Sequence, residues 1–182
     1  MRVIAGEFRS RQLKTLAGLD TRPTPDRLRE SLFNVLAPRI EGTVFVDAYA
    51  GTGAVGIEAL SRGAARAVFI ERSRSAAAVI RDNVRSLAVT DRATVLHGKV
   101  LAHIGQHRGD IVFLDPPYDV NREYTAVLDM LGLEPPRLVI VQHSVRHKLD
   151  ESYGRLVRRR ELKQGDNMLT FYEPLDGSEP RV

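Results

Sequence analysis

Four consecutive residues, Asp115-Pro116-Pro117-Tyr118, combine an acid, two rings without a backbone donor and an aromatic. They directly follow the apolar run Ile111-Val112-Phe113-Leu114. That run reads as a buried strand, so the tetrapeptide is delivered at a strand's carboxyl end, facing a cleft. The carboxylate of Asp115 and the carbonyl of Pro116 can each accept one hydrogen of an exocyclic amine. The amine's lone pair is then free to point at a methyl donor. The prolines stiffen the loop and offer no competing N–H, and Tyr118 offers a ring on which a base can stack. Asp115 can also take the spare proton. Methyl transfer to an amine depends mainly on position, and these residue types supply position. The bland alternative is a plain loop with a capping Asp and a core Tyr.

A second pattern lies upstream. Gly51-Thr52-Gly53-Ala54-Val55-Gly56 follows the apolar stretch Val44-Phe45-Val46 and precedes a helical stretch, the context that gives a glycine pattern meaning. The glycines let the chain turn tightly and let a ligand approach the backbone. Alone, this loop serves dinucleotide and S-adenosylmethionine enzymes alike. Two acids narrow it. Glu71 stands 20 residues after Gly51, where it can accept hydrogen bonds from ribose hydroxyls. Asp47 stands four residues before Gly51. A negative charge there repels a pyrophosphate and suits the cationic amino-acid end of S-adenosylmethionine. The bland alternatives are a helix or loop cap for Asp47 and a surface acid for Glu71. Together the two motifs point to an amino-methyltransferase that uses S-adenosylmethionine.

The elements that must position these residues alternate. Helices are expected at Asp26–Ala37, Ala54–Arg62, Ser73–Leu87, Leu101–Gln106 and Arg122–Leu131. Strands are expected at Val44–Val46, Ala67–Ile70, Ala93–Leu96, Ile111–Leu114 and Leu138–Gln142, then at Tyr153–Leu162 and Met168–Glu173 around the turn Gln164-Gly165-Asp166-Asn167. This order predicts an α/β fold: a mainly parallel, doubly wound seven-stranded sheet with an antiparallel C-terminal hairpin. Residues 1–41 are expected to form a small N-terminal extension of hairpin plus helix, residues 42–175 the main domain and residues 176–182 a loose tail.

Composition excludes several classes. The 182 residues allow one domain with a real core. There is no cysteine, hence no disulfide framework, thiolate nucleophile or cysteine-bound zinc. The apolar runs are too short for a bilayer, which needs roughly 20 residues, and the amino terminus has no signal-peptide pattern, so a cytoplasmic protein is expected. Net charge is +4. Residues 1–29 hold seven Arg/Lys against three acids, and residues 146–163 hold seven more against three. Such clusters point to a phosphate-facing surface; the alternative is a solvated charged face. The pairs His103/His107 and His143/His147 have a spacing that can bind metal on a helix. They lack a nearby acid in a recognisable motif, and no metal is expected. Arg158-Arg159-Arg160 reads as an exposed strand edge rather than an RNA grip.

The chain also resembles the small-subunit ribosomal RNA guanine-N2 methyltransferases of the bacterial RsmD type. The likeness begins with Arg2-Val3-Ile4-Ala5-Gly6 and Arg9-Ser10-Arg11-Gln12-Leu13. It is most specific in Arg22-Pro23-Thr24-Pro25-Asp26-Arg27-Leu28-Arg29-Glu30-Ser31-Leu32-Phe33-Asn34, and it continues through Asp47 to Ala64 and Asp115 to Tyr118. The resemblance implies a Rossmann-like class I methyltransferase using S-adenosylmethionine. The catalytic segment would be Asp115, Pro116, Pro117 and Tyr118. The cofactor would lie against Asp47, Ala48, Tyr49, Gly51, Thr52, Gly53, Gly56, Glu71 and Arg72. The implied substrate is one guanine N2 of 16S ribosomal RNA in the small subunit, with Arg9, Arg11, Lys14, Arg22, Arg27 and Arg29 contacting RNA phosphates or the cofactor side of the cleft. A monomer is expected. One departure stands out: Lys99 or Val100 occupies the place of an acid that usually touches adenine, so adenine is expected to be held by backbone groups near Val100 and by stacking. Competing readings are a DNA adenine-N6 methyltransferase, a nicotinamide-dependent oxidoreductase and a non-catalytic RNA-binding assembly factor.

Overall fold

Five apolar stretches are strands: Val44–Ala48 (β1), Arg66–Glu71 (β2), Ala93–His97 (β3), Ile111–Leu114 (β4) and Leu138–Ser144 (β5). β1, β4 and β5 are almost wholly buried, as strands covered on both faces must be. The structure, a computed structural model, describes residues 1–15, 26–116 and 121–175. Helices Asp26–Leu36 (α1), Ala54–Ser61 (α2), Arg74–Ser86 (α3), Val100–His103 (α4) and Asn121–Leu133 (α5) alternate with the strands. Three more strands follow, Ser152–Tyr153 (β6), Leu156–Gln164 (β7) and Asn167–Pro174 (β8). The sheet order is β3-β2-β1-β4-β5-β8-β7-β6. The first five strands are parallel, and β8, β7 and β6 are antiparallel additions.

The sheet therefore has eight strands, one more than the periodicity predicts. The expected strand Tyr153–Leu162 is split by a tight turn at Gly154-Arg155, which folds β6 back on β7 with Tyr153 opposite Leu156. Gly154 has φ +55, and a Cβ there would lie 2.8 Å from the Gly132 carbonyl oxygen. Apolar alternation cannot reveal such a turn, because Tyr153 and Leu156 are both core residues. β1 also runs two residues further than expected, carrying Asp47 inside the strand. α4 is shorter, ending at His103.

Alternate side chains go to opposite faces. Val46, Ala48, Val112, Leu114, Val139 and Val141 pack with Val100 of α4 and with Tyr124, Val127 and Leu128 of α5. On the other face, Phe45, Ile111, Phe113 and Ile140 meet Leu28, Leu32, Phe33 and Leu36 of α1. Ala67 and Phe69 meet Ile57 and Leu60 of α2, Ile80 and Val84 of α3, and Val3, Phe8 and Leu13 of the amino-terminal segment. That segment closes on itself through a single antiparallel bridge between Arg2 and Gln12, and its apolar side chains lie in the core.

Candidate active site

Chain order reverses between β1 and β4, and in open α/β sheets ligands sit at such a point, beyond the carboxyl ends of the strands. Ala48 is opposite Ile70 of β2 and Leu114 of β4. The next residues, Tyr49, Glu71 and Asp115, are consequently level on three adjacent strands. Adjacent strands lie about 4.8 Å apart, so the glycine loop, the β2 acid and the start of the Asp-Pro-Pro-Tyr segment converge on one crevice. Asp115 is half-buried and Pro116 buried. Pro117 and Tyr118 lie outside the described residues.

The glycine loop is held by its neighbours. Tyr49 and Ala50 both donate their N–H to the Ile70 carbonyl, at 3.1 and 3.0 Å. Gly51 and Gly53 have φ of 56° and 80°, the left-handed region that glycine enters without a Cβ penalty. Glu71 accepts the Gly51 N–H at 2.8 Å and the Ser73 N–H at 2.6 Å. It thereby ties the loop to the start of α3. Tyr49 has φ of 90°, uncommon for a residue with a side chain. Its hydroxyl donates to Glu123 of α5 at 3.0 Å. Burial, followed by the nearby Glu123 carboxylate, pushes the Tyr49 phenol above its ordinary pKa.

Asp47 is 2% exposed. Gly53, the N-cap of α2, offers no side-chain acceptor. Asp47 supplies one from β1, accepting the Gly56 N–H at 2.8 Å, and so satisfies an otherwise orphan donor of the first helical turn. The carboxyl is pushed up to about 7. Burial is the main cause, the Gly56 bond opposes it, and the charges of Asp115 and Glu71 add to it. Asp115 and Glu71 thus bring negative charge to bear on Asp47.

Gly56 has a packing role. A Cβ there would lie 2.3 Å from Cε1 of Phe69, so its missing side chain lets α2 pack on β2, and the residue is buried. Thr52 is half-buried, Ala48 and Val100 are buried, and Arg72 and Lys99 are exposed. Lys99 is the residue before α4.

Among the expected phosphate contacts, Arg9, Arg11, Lys14 and Arg27 are exposed. Arg11 donates to the Ser86 carbonyl at 3.0 Å, and Lys14 pairs with Asp82 at 3.0 Å. Arg22 lies outside the described residues. Arg29 is a correction: it is 0% exposed and cannot face RNA. It donates to the Arg2 carbonyl at 2.8 Å and to Asp26 at 2.9 Å, joining α1 to the amino-terminal segment. Burial pulls its pKa down, against the nearby carboxylates of Glu58 and Asp26.

Three buried polar residues that sequence reasoning missed complete this attachment. Glu58 accepts the N–H groups of Ile4 and Ala5 at 2.8 and 3.0 Å and pairs with Arg62 at 2.8 Å. Ser61 Oγ accepts the Phe8 N–H and donates to the Ala5 carbonyl. Asn83 accepts the Lys14 N–H at 2.8 Å, and its Nδ2 donates to the Lys14 and Thr52 carbonyls at 3.1 and 3.2 Å. A signal existed: Glu58 interrupts the apolar helix Ala54–Ser61, and Asn83 lies on the same apolar helix face as Ile80, Val84 and Leu87.

The fold and the crevice define an α/β methyltransferase. A solved structure of yhhF from Escherichia coli superposes with a TM-score of 0.82 at 32% identity, covering 96% of this chain and 97% of that one. A family model described as Conserved hypothetical protein 95 matches residues 1–173, and the chain belongs to that family, the RsmD family. The chain is 40% identical over 178 residues to the Ribosomal RNA small subunit methyltransferase D of Escherichia coli K12, covering 95% of this chain and 89% of that protein. It is 35% identical over 150 residues to the protein of the same name from Haemophilus influenzae, covering 78% of each.

Proposed function

We propose that this protein transfers a methyl group from S-adenosylmethionine to the exocyclic N2 of one guanine in 16S ribosomal RNA of the small subunit, acting as a monomer without a metal. The observation that carries the reading is the convergence of Tyr49, Glu71 and Asp115 at the switch point. The RNA substrate follows the names of the Escherichia coli and Haemophilus influenzae relatives.

The donor set fits the cofactor. The charges of Asp115 and Glu71 both act on Asp47; a dinucleotide's pyrophosphate would add negative charge beside them, whereas a sulfonium with an ammonium group relieves it. Asp47, Ala48, Tyr49, Gly51, Thr52, Gly53 and Glu71 would hold the amino-acid and ribose parts, and Val100 would face adenine, with Arg72 and Lys99 at the rim. When bound, S-adenosylmethionine supplies an electrophilic methyl group. Asp115 and the Pro116 carbonyl hold the two amine hydrogens, orienting the lone pair. Asp115 then accepts the proton released as nitrogen gains its methyl. Pro116 presents no N–H to compete.

The test is transfer of labelled methyl to small subunits from cells lacking this protein, with naked 16S RNA and unmethylated DNA alongside. Label in N2-methylguanosine is expected. Label in N6-methyladenine from DNA would replace the reading with a DNA enzyme. An Asp115→Ala variant should bind cofactor but not turn over; near-full activity would sink the mechanism.

A further inference from the structure

The sheet treats the cations at its two ends differently. Directly before the parallel strands, Arg39, Arg92, Arg108 and Arg137 each meet an acid: Glu173, Glu7, Glu134 and Asp110. Arg66, at the start of β2, departs from this pattern. The basic run on β7 is engaged internally as well. Arg158 pairs with Glu151 and Glu161 at 3.3 and 3.0 Å, Arg159 donates to the carbonyls of Pro174 and Leu175, and Arg160 lies 6.0 Å over the Phe171 ring.

At the carboxyl ends of the strands the reverse holds. Arg146, Lys148 and Lys163 are exposed, and among the described residues none of the three has an acid partner. Topology gathers them. Gln164 pairs with Asn167 and Asn167 with Ser144, so the far end of β7 stands level with the end of β5. The Val145 N–H donates to the Asp166 carbonyl at 3.0 Å, joining the loop after β5 to the hairpin turn. His147 stacks on Tyr124 at 4.8 Å, fastening the same loop to the first turn of α5, just beyond the Asp115-Pro116 segment. Asp166 is exposed in the turn beside them.

We propose that Arg146, Lys148 and Lys163 form a phosphate-binding surface for the backbone of the substrate RNA beside the target guanine, on the side of the crevice away from β2. This rests on the RNA reading above. Three strand spacings separate β4 from β7, about 15 Å, room for about four stacked nucleotides. Paired cations cannot release counterions from a phosphate without first losing their acids; unpaired ones can.

The experiment measures binding of 16S RNA across a salt series. The test protein carries Arg146→Gln, Lys148→Gln and Lys163→Gln. A control of equal charge carries Arg39→Gln, Arg108→Gln and Arg137→Gln. The test variant should lose about 2 units of salt slope, at roughly 0.7–0.9 per phosphate contact, and on the order of tenfold in RNA affinity, with S-adenosylmethionine affinity unchanged. The control should keep most of its slope. An undiminished slope in the test variant, or an equal loss in the control, overturns this surface while leaving the methyltransferase reading intact. Absence of salt-dependent RNA binding by the unsubstituted protein overturns this surface, while methyl transfer to small subunits decides the methyltransferase reading separately.

Discussion

The Tyr49 hydroxyl donates to the Glu123 carboxylate across the crevice, 3.0 Å from oxygen to oxygen. One partner belongs to the glycine loop and the other to the first turn of α5. The bond thus clasps the loop that follows β1 to the helix that follows the Asp-Pro-Pro-Tyr segment. Tyr49 also holds an unfavourable φ of 90°. Such strain persists only where the surroundings impose it, and the Ile70 carbonyl and Glu123 do so here.

Removing that hydroxyl tests the clasp. Tyr49→Phe keeps the ring and leaves Glu123, half-buried, without this donor. A loss of about 1 kcal/mol is expected, a fall in Tm of about 2–4 °C for a domain of this size. Thermal unfolding checks it, and an unchanged Tm would mean that the bond holds nothing together.

Asp47 gives the protein a pH dependence of definite sign. Its carboxyl goes from an ordinary 3.8 to about 7 on folding, so the folded state binds the proton more tightly than the unfolded one. Asp47's contribution to stability is full below pH 3.8 and is lost as pH rises to about 7, where the buried carboxylate ionises. Unfolding of the cofactor-free protein at pH 5 and pH 8 should show the drop. Asp47→Asn retains an acceptor for the Gly56 N–H and should flatten it. A cationic ligand favours the ionised form, so S-adenosylmethionine should bind more tightly at pH 8 than at pH 6. Calorimetry in buffers of different ionisation heat would detect the released proton.

Asn83, 1% exposed, ties the amino-terminal segment to the glycine loop through the carbonyls of Lys14 and Thr52. Asn83→Ala leaves both carbonyls and the Lys14 N–H without this partner. The expected cost is about 1–3 kcal/mol. Hydrogen exchange should quicken both near Lys14 and at the glycine loop; protection lost at only one of the two would show that they are independent.

Gly56→Ala tests the packing of α2 on β2. The new methyl meets Phe69, itself fully buried, and overpacking of this kind costs about 1–3 kcal/mol. Denaturant titration should report a lowered midpoint with the slope retained. A neutral result would mean that Phe69 yields and that this packing does not require glycine at 56.

The sequence alone determined the alternation of strands and helices, because burial on both faces leaves β4 and the leading residues of β1 and β5 as apolar runs. It determined the residue types of the site for a related reason: a short loop at a strand's end keeps its members together wherever the strand goes. Asp115-Pro116 and Gly51 to Gly53 are such local sets. Pairing across long separations was decided by tertiary structure. Only strand order and register bring Tyr49, Glu71 and Asp115 level, since 22 and 66 residues separate Tyr49 from its two neighbours in the chain. Burial was decided there too. Arg29 belongs to a basic run and yet lies in the core, because α1 turns it toward Arg2, Asp26 and the nearby Glu58. Gly56 matches a ligand-loop pattern and yet spaces a helix from Phe69. The charge of a side chain is written in its type, but whether it meets solvent, an acid or a phosphate depends on which distant elements fold against it.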